Sequence, residues 1–303
     1  MAIQIKRGTS AQRKVSEVVL EAGQPFLETD TGNLFIGRTG TEKLKDLTLD
    51  NCCPSARQIG KQWDEIFHQN LEDFSWAEIH SISQRGLGGL FFHVGDTKTI
   101  SINDFTDDAT GDTCSCAGSY KVEIIGINHM GIPGITFQVG LLEGRRICLD
   151  EFQMNKTYSN SGGWKNSRMR ATCNNFKSQA LPSDLQSVLI YNTIYTGLPG
   201  VTEVEATKDY VFLLSEYEVF GTTNKSNANE QFKQAQFEFY KSGWNRYRYK
   251  RTNTQKVLTW WLRSPSTSTE GGHFAYVNLS SAYDYAVSDG AMNFSGFAPA
   301  FVV

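Results

Sequence analysis

The residues best suited to chemistry lie close together near the C-terminus, between Ser266 and Asp289. This segment mixes Ser, Thr, Tyr, Asn, Asp, His and Gly with single apolar residues. Tyrosine offers a large contact area at low entropic cost, while serine, asparagine and glycine adapt their hydrogen bonds to a partner. We therefore predict a ligand-binding site formed by His273, Tyr276, Asn278, Ser280, Ser281, Tyr283, Asp284, Tyr285 and Asp289. The alternative is a polar surface hairpin without a binding role.

The charges of this segment indicate which ligands suit it. No Lys or Arg follows Arg263, whereas Glu270, Asp284 and Asp289 do. A surface of this kind suits proteins or sugars and repels polyanions. We expect a protein or glycan ligand and no nucleic acid.

Side chains that could support catalysis are isolated along the chain. His129 has no H-E-x-x-H motif or second histidine near it, so we interpret it as structural. Cys148 and Cys173 are a possible thiol pair, but no cysteine follows Cys173. No G-x-S-x-G motif or P-loop occurs. We expect no catalytic residue, no metal ligands and no cofactor, with a bound structural ion left open.

A second candidate surface is the basic and aromatic segment from Tyr240 to Arg251. Arginine and tyrosine stack on bases, which would suit a strip that binds nucleic acid. The two residue types also alternate with a period of two, which is typical of a twisted, exposed hairpin. Because the positive charge is local and the chain has a net charge of −3, we favour the exposed hairpin, which would border the binding site.

Apolar residues frame the polar segment and recur inside it. It follows the motif W-W-L-R-S-P, in which Arg263 is the single charge. An arginine in such surroundings normally pairs with a carboxylate. We predict that Trp260, Trp261 and Arg263 are structural. Further apolar residues should anchor the segment to a core, namely Phe274, Val277, Leu279, Ala286 and Val287.

Length and composition limit the remaining choices. A chain of 303 residues is long enough for about two domains. Its 19 Phe, 12 Tyr and 6 Trp favour strands over a helical bundle. The six cysteines fit neither zinc spacing nor a secreted disulfide scaffold, so we expect reduced thiols. We see no signal peptide and no apolar run that could cross a bilayer, and we expect no membrane insertion.

The chain divides by pattern into three parts. Residues 1–50 contain short strands and a turn at residues 29–33, and a unit of this size buries little surface alone. Residues 51–73 form a linker, in which Ser55 to Leu71 has the spacing of an amphipathic helix. Residues 74–303 combine predicted helices and strands in one larger domain. We therefore predict an α+β fold.

Both ends of the chain carry motifs of known families. I-K-R-G-T followed by P-F-L-E-T-D-T-G-N-L-F-I-G resembles the N-terminal attachment module of phage tail fibres and tropism-determinant proteins, which assembles as a trimer. The later motifs S-W-x-E-I, V-G-D-T-K-T-I, S-G-G-W-K-N-S and W-W-L-R-S-P resemble a C-type-lectin-like domain of the formylglycine-generating-enzyme type. Some members of that family are variable proteins of diversity-generating retroelements, in which the C-terminal residues are rewritten.

The resemblance implies a function and a location. It implies a phage receptor-binding protein or tropism determinant, carried on the virion tail fibre and synthesised in the cytoplasm of a bacterial host. Its partners would be a host cell-surface receptor, phage tail or baseplate proteins, and two further copies in a homotrimer. Two alternatives are a structural tail-fibre tip without diversified binding and a thiol-dependent enzyme of the same fold. The calcium-site motifs E-P-N, Q-P-D and W-N-D of sugar-binding lectins do not occur.

Overall fold

The protein contains two compact units, Met1–Gln69 and Asn70–Val303. Both units contain helices and strands, so the predicted α+β class is confirmed. The computed structural model describes residues 6–21, 25–28, 34–36, 41, 43–46, 70–107, 111–267, 271–278 and 286–303. The predicted linker helix runs from Ser55 to Leu71, and its residues up to position 69 lie outside the described residues. The predicted turn at residues 29–33 and the cysteines Cys52 and Cys53 also lie outside them.

The helices of the described residues are short. The α-helices are α1 (Ser10–Lys14), α2 (Trp76–Gln84), α3 (Gly88–Phe91), α4 (Arg168–Asn175), α5 (Ser183–Gln186) and α6 (Glu216–Phe220). A π-helix at Phe176–Ala180 continues α4. The 3-10 helices are Leu44–Asp46, Leu71–Asp73, His129–Gly131, Trp164–Asn166, Ala228–Phe232, Glu238–Tyr240 and Trp244–Arg246. No helix in the described part of the chain is long and apolar enough to cross a membrane.

The strands fall into two groups by length. Those with five or more residues are β4 (Thr97–Ile102), β7 (Gly118–Ile127), β8 (Ile135–Leu142), β11 (Asn192–Gly197), β12 (Val204–Asp209), β15 (Asn253–Val257), β16 (Trp260–Pro265), β17 (His273–Val277) and β18 (Ala286–Gly290). The shorter ones are β1 (Lys6–Gly8), β2 (Pro25–Glu28), β3 (Leu34–Ile36), β5 (Phe105–Asp107), β6 (Asp112–Cys114), β9 (Arg145–Cys148), β10 (Glu151–Phe152), β13 (Val211–Phe212), β14 (Tyr249–Lys250), β19 (Ser295–Gly296) and β20 (Ala300–Val302).

The N-terminal unit contains a small three-stranded sheet with the order β1-β2-β3. Its buried apolar side chains among the described residues are Leu20, Phe26, Phe35 and Leu44. Helix α1, which the sequence analysis did not predict, begins after a capping box in which the Gln12 N–H donates to Thr9 and the Thr9 N–H donates to Gln12.

Helix α2 packs on the largest sheet of the C-terminal unit. The helix begins with a capping box, in which the Ser75 N–H donates to the Glu78 carboxylate and the Glu78 N–H donates to Ser75. Trp76 packs edge-on against Phe137 of β8 and Phe301 of β20, with ring centroids 5.4 Å and 6.1 Å away. These contacts join the start of the unit to the C-terminal strand.

A second sheet carries the polar C-terminal segment. Its five strands have the order β10-β19-β16-β17-β18. Strand β16, which contains the W-W-L-R-S-P motif, pairs antiparallel with β17, and β17 pairs antiparallel with β18. The buried strand β16 therefore supports a hairpin at the end of the sheet.

The prediction that the segment at residues 240–251 is exposed is wrong. Strands β14 and β15 do pair, but Tyr240, Arg246 and Arg248 are buried. Arg248 donates to the carbonyl of Ile147 at 2.9 Å and lies over the Trp260 ring at 5.1 Å. Arg246 donates to the Tyr240 carbonyl at 3.0 Å. Both guanidinium groups are thus held by carbonyl oxygens inside the protein.

Candidate ligand-binding surface

The framework of the candidate site is strand β16, whose six residues are all buried. Trp260 and Trp261 are fully inaccessible to solvent. The indole N–H of Trp260 donates to the Arg246 carbonyl at 3.0 Å, and that of Trp261 donates to the Phe152 carbonyl at 2.7 Å. The structural role predicted for both tryptophans is confirmed.

Arg263 is paired with a carboxylate, as the sequence analysis predicted. It makes a bidentate ion pair with Glu218, with N–O distances of 2.6 Å and 2.7 Å. It also donates to the Leu213 carbonyl at 2.7 Å. Glu218 has a second role at the start of α6, where it accepts the Ser215 N–H at 2.9 Å. This pair therefore ties β16 to the N-terminus of α6 inside the core.

Two more buried carboxylates lie next to this pair. Glu230 accepts the Gly197 N–H and the Ser264 hydroxyl, each at 2.8 Å. Burial raises the pKa of Glu230 to about 7, although these hydrogen bonds act in the opposite direction. Glu216 accepts the backbone N–H groups of Lys225 and Ser226, and burial raises its pKa as well. The framework therefore contains more buried acid than buried base at this point.

Strands β17 and β18 carry three of the nine predicted binding residues, and a fourth, Asn278, directly follows β17. His273, Tyr276, Asn278 and Asp289 are all partly exposed. Successive side chains of a strand point to opposite faces, and paired residues share a face. Because Asp289 pairs with Phe274, it lies on the same face as Tyr276, whereas His273 lies on the other. The hairpin thus presents binding residues on both faces.

The side chain of Tyr276 is partly covered by the hydrophobic core. Its ring packs edge-on against Trp261, with centroids 5.9 Å apart, and it adjoins the hydrophobic core. Tyr276 thus presents only part of its side chain at the surface. The apolar anchors behave as predicted, because Phe274 and Val277 are buried. Five predicted binding residues lie outside the described residues, namely Ser280, Ser281, Tyr283, Asp284 and Tyr285. The same holds for two predicted anchors, Leu279 and the side chain of Ala286.

Tyr158 is a surface residue that the sequence analysis did not select. Its side chain is 54% exposed, and its hydroxyl is hydrogen-bonded to Nε2 of His273. The two rings meet edge to face, with centroids 5.4 Å apart. A Cβ at Gly272 would lie 2.8 Å from the Tyr158 carbonyl oxygen, and one at Gly290 would lie 2.7 Å from its ring. The tyrosine therefore lies directly on the backbone of the hairpin.

Asn160 holds the Tyr158 loop against the hairpin. Its amide donates to the carbonyls of Ser266 and His273 at 3.0 Å and 2.9 Å and accepts the Gly272 N–H at 3.3 Å. Asn160 is 6% exposed, so these bonds are protected from water. On the other face of the hairpin, Asp289 accepts the side-chain amide of Asn293 at 2.6 Å. The surface residues are consequently held in defined positions.

We name this surface the hairpin edge and define it by Tyr158, His273, Tyr276, Asn278 and Asp289. Strand β18 is the last strand in the order of its sheet. The hairpin edge includes residues from both faces of the β17–β18 hairpin. The hairpin edge combines aromatic rings with an imidazole, an amide and a carboxylate. Such a set can make hydrogen bonds and aromatic contacts with a ligand.

Cys148 and Cys173, the two thiols considered in the sequence analysis, offer no comparable site. The four cysteines in the described residues are unpaired and buried. Burial raises the pKa of Cys148 to about 12 and that of Cys173 well above its usual value, which disfavours a nucleophilic thiolate. Among the described residues, no group of three or more His, Cys, Asp or Glu side chains is placed to hold a metal ion.

Comparison with known proteins gives one result. Residues 141–303 match the model of a family described as a domain of unknown function, DUF6273. No curated protein and no solved structure shows significant similarity to the chain. The matched residues include strands β16, β17 and β18 and the whole hairpin edge. Because they make up more than half of the 303 residues, the protein belongs to the DUF6273 family.

Proposed function

We propose that the protein is a receptor-binding protein of the phage tail-fibre or tropism-determinant type, and that the hairpin edge is its binding surface. The observation that carries the proposal is the contrast between the buried strand β16 and the polar hairpin that it supports. Three buried side chains of β16, Trp260, Trp261 and Arg263, hold the sheet in place. A rigid support reduces the entropy that the binding residues lose when a ligand binds.

The proposal also includes the fold of residues 74–303. A C-type-lectin-like domain over residues 74–303 would present its C-terminal hairpin as a variable binding surface. The proposal is supported by the ordered motifs of the sequence and by the buried W-W-L-R-S-P strand. The variable positions that a retroelement would rewrite include the five predicted residues between 280 and 285. The ligand would be a protein or glycan on the surface of a bacterial host.

Recognition is favoured over catalysis by the chemistry of the candidate groups. The thiols of Cys148 and Cys173 are buried and disfavour the thiolate form. The hairpin edge offers hydrogen-bonding and aromatic groups, and Tyr158 and His273 already contact each other. We therefore propose a binding protein without a reaction step, cofactor or metal.

A binding assay with matched tyrosines tests the proposal. The full chain, fluorescently labelled, is applied to a panel of bacterial strains and to a glycan array. Tyr158→Ala should weaken binding at least about tenfold, because aromatic side chains dominate the energy of many interfaces. Tyr191→Ala is the control, because Tyr191 is 53% exposed and Tyr158 is 54% exposed. Equal loss in both variants, or no binding by the wild type to any strain or glycan, would contradict the proposal.

The DNA beside the gene provides an independent test. A diversity-generating retroelement requires a reverse transcriptase gene and a near-copy of the 3′ end that differs at adenines. Finding both would support diversification of the hairpin. If neither is present, the alternative of a structural tail-fibre tip becomes the better explanation.

A further inference from the structure

A cavity of about 270 Å³ lies in the C-terminal unit and shares no residue with the hairpin edge. It is lined by the 3-10 turn after β7, by strand β11 and by the segment around Gln234. An apolar cavity of about 150 Å³ is large enough to bind benzene in another protein. A cavity of this size can therefore hold a substituted single ring.

The walls of the cavity are mainly apolar. Ile194, Phe212 and Phe237 line it and are 2–3% exposed. Two side chains that also line it, Ile132 and Phe232, are 62% and 73% exposed. Apolar side chains thus continue from the interior to the entrance, which favours an apolar ligand over a strongly hydrated one.

His129 adds one polar group to this wall. Its ring stacks on Phe237 with centroids 3.9 Å apart, and it makes a backbone hydrogen bond with Ala235. Its Nε2 is buried and has no hydrogen-bond partner among the described residues. Burial lowers the pKa of His129, so the ring is neutral at pH 7 and Nε2 is an acceptor. An unpaired buried acceptor destabilises the folded protein until a donor reaches it.

Two buried polar side chains of the cavity, Glu218 and Gln234, are already engaged. Both carboxylate oxygens of Glu218 accept hydrogen bonds from Arg263. The Gln234 amide donates to the Tyr195 carbonyl at 2.6 Å, and its oxygen accepts the Ser215 hydroxyl. His129 Nε2, by contrast, is a buried polar atom of this wall that has no hydrogen-bond partner among the described residues.

The backbone beside His129 is strained. Asn128 and Met130 have φ values of 48° and 56°, and they are two of the three non-glycine residues with positive φ in the described chain. The turn is held by Asn128, whose amide donates to the Gly86 carbonyl at 2.9 Å. Such strain is concentrated at ligand and functional sites in proteins. Met130 also lines the cavity and is 53% exposed.

We propose that this cavity is a second ligand site, which binds a small apolar molecule of phenol type and accepts its single donor at His129 Nε2. The apolar walls bind the ring of the ligand, and the imidazole fixes its orientation. The Nε2 atom is covered when the cavity is empty, so binding includes a small displacement of neighbouring side chains. This site does not depend on the proposed receptor-binding function.

Two ligands of the same shape test the proposal. The full chain is titrated with p-cresol, which has a donor, and with toluene, which has none, by calorimetry and by NMR of the histidine ring nitrogens. The wild type should bind p-cresol at least as tightly as toluene, although toluene is the more hydrophobic molecule. His129→Phe keeps a ring on Phe237 but removes the acceptor, so p-cresol should bind about tenfold more weakly and toluene with unchanged affinity.

The controls make each outcome decisive. His93→Phe changes a histidine whose side chain is 62% exposed and which does not line the cavity, and it should bind both ligands as the wild type does. The site is refuted if neither ligand binds the wild type, and the role of His129 is refuted if His129→Phe retains the preference for p-cresol. If His129→Phe does not fold, the NMR signal of His129 Nε2 in the wild type tests whether the ligand reaches this atom. It should shift with p-cresol and not with toluene, and equal shifts would overturn the proposal.

Discussion

Individual residues show that this protein uses its buried charges to build the framework of the hairpin. Arg263 and Glu218 neutralise each other through two short hydrogen bonds. Glu230 makes no ion pair among the described residues and is held by a backbone N–H and hydroxyl groups. A carboxylate without a cation inside a protein favours the protonated form. The framework should therefore respond to pH near neutrality.

Glu230→Gln tests this response. Burial raises the pKa of Glu230 from 4.5 to about 7, so the folded state binds the proton more tightly than the unfolded state. The stability that this proton provides is complete below about pH 4.5 and is lost as pH rises to about 7. Glutamine imitates the protonated acid, so the variant should gain up to about 3 kcal/mol over the wild type across that range.

Urea unfolding of the full chain between pH 4.5 and pH 8 measures this difference. Glu238→Gln is the control, because the Glu238 side chain is 63% exposed and its substitution should leave the pH dependence unchanged. A wild type and a Glu230→Gln variant with parallel stability curves would show that Glu230 titrates normally.

At the scale of elements, the hairpin depends on a loop that lies far from it in sequence. Tyr158 and His273 are hydrogen-bonded although 115 positions separate them. The contact is possible because Gly272 and Gly290 have no side chains at the points where Tyr158 approaches. The loop and the β17–β18 hairpin thus form one structural element of the candidate site.

Gly272→Ala should separate the loop from the hairpin. Both Gly271 and Gly272 have positive φ, 62° and 69°, so alanine at either position costs about 1–2 kcal/mol of backbone strain. A Cβ at Gly272 also meets the carbonyl of Tyr158 at 2.8 Å, whereas a Cβ at Gly271 meets no atom of the described residues within 4 Å. We expect similar losses of backbone stability but a displaced Tyr158 in the Gly272 variant alone. NMR of the His273 ring measures the contact, and an unchanged ring environment in Gly272→Ala would refute this account.

At the scale of the whole molecule, we predict that the chain assembles as a trimer. The N-terminal unit has four buried apolar side chains among its described residues and three exposed valines, Val15, Val18 and Val19. A unit with so little core gains stability from association. Trimeric display would also multiply a weak affinity at each hairpin edge.

Light scattering of the full chain tests the trimer. We expect three copies at micromolar concentration, and a shift to monomer when residues 1–50 are deleted. The truncated chain should keep the far-ultraviolet circular dichroism of the C-terminal unit. A full chain that is monomeric at micromolar concentration would contradict the prediction, and a trimer that survives the deletion would move the contact to another part of the chain.

Local patterns in the sequence were sufficient for several elements. The motif S-W-x-E-I coincides with the start of α2, and the motif W-W-L-R-S-P predicts structural tryptophans and an arginine paired with a carboxylate. Alternation predicts the strand at 120–127, which lies within β7. These features depend on neighbours within a few residues, because capping and alternation are set by the local backbone.

Other features depended on the tertiary structure. Arg248 looks exposed in sequence but is buried, because carbonyl groups about 100 positions away receive its hydrogen bonds. Tyr158 gains its role from His273, and the cavity beside His129 forms between segments that are distant in sequence. The sequence by itself determined that Trp260, Trp261 and Arg263 are structural and that the segment after them is polar. Only the tertiary structure decided which groups meet, because a side-chain partner is selected by chain topology, and topology is not written in any local pattern.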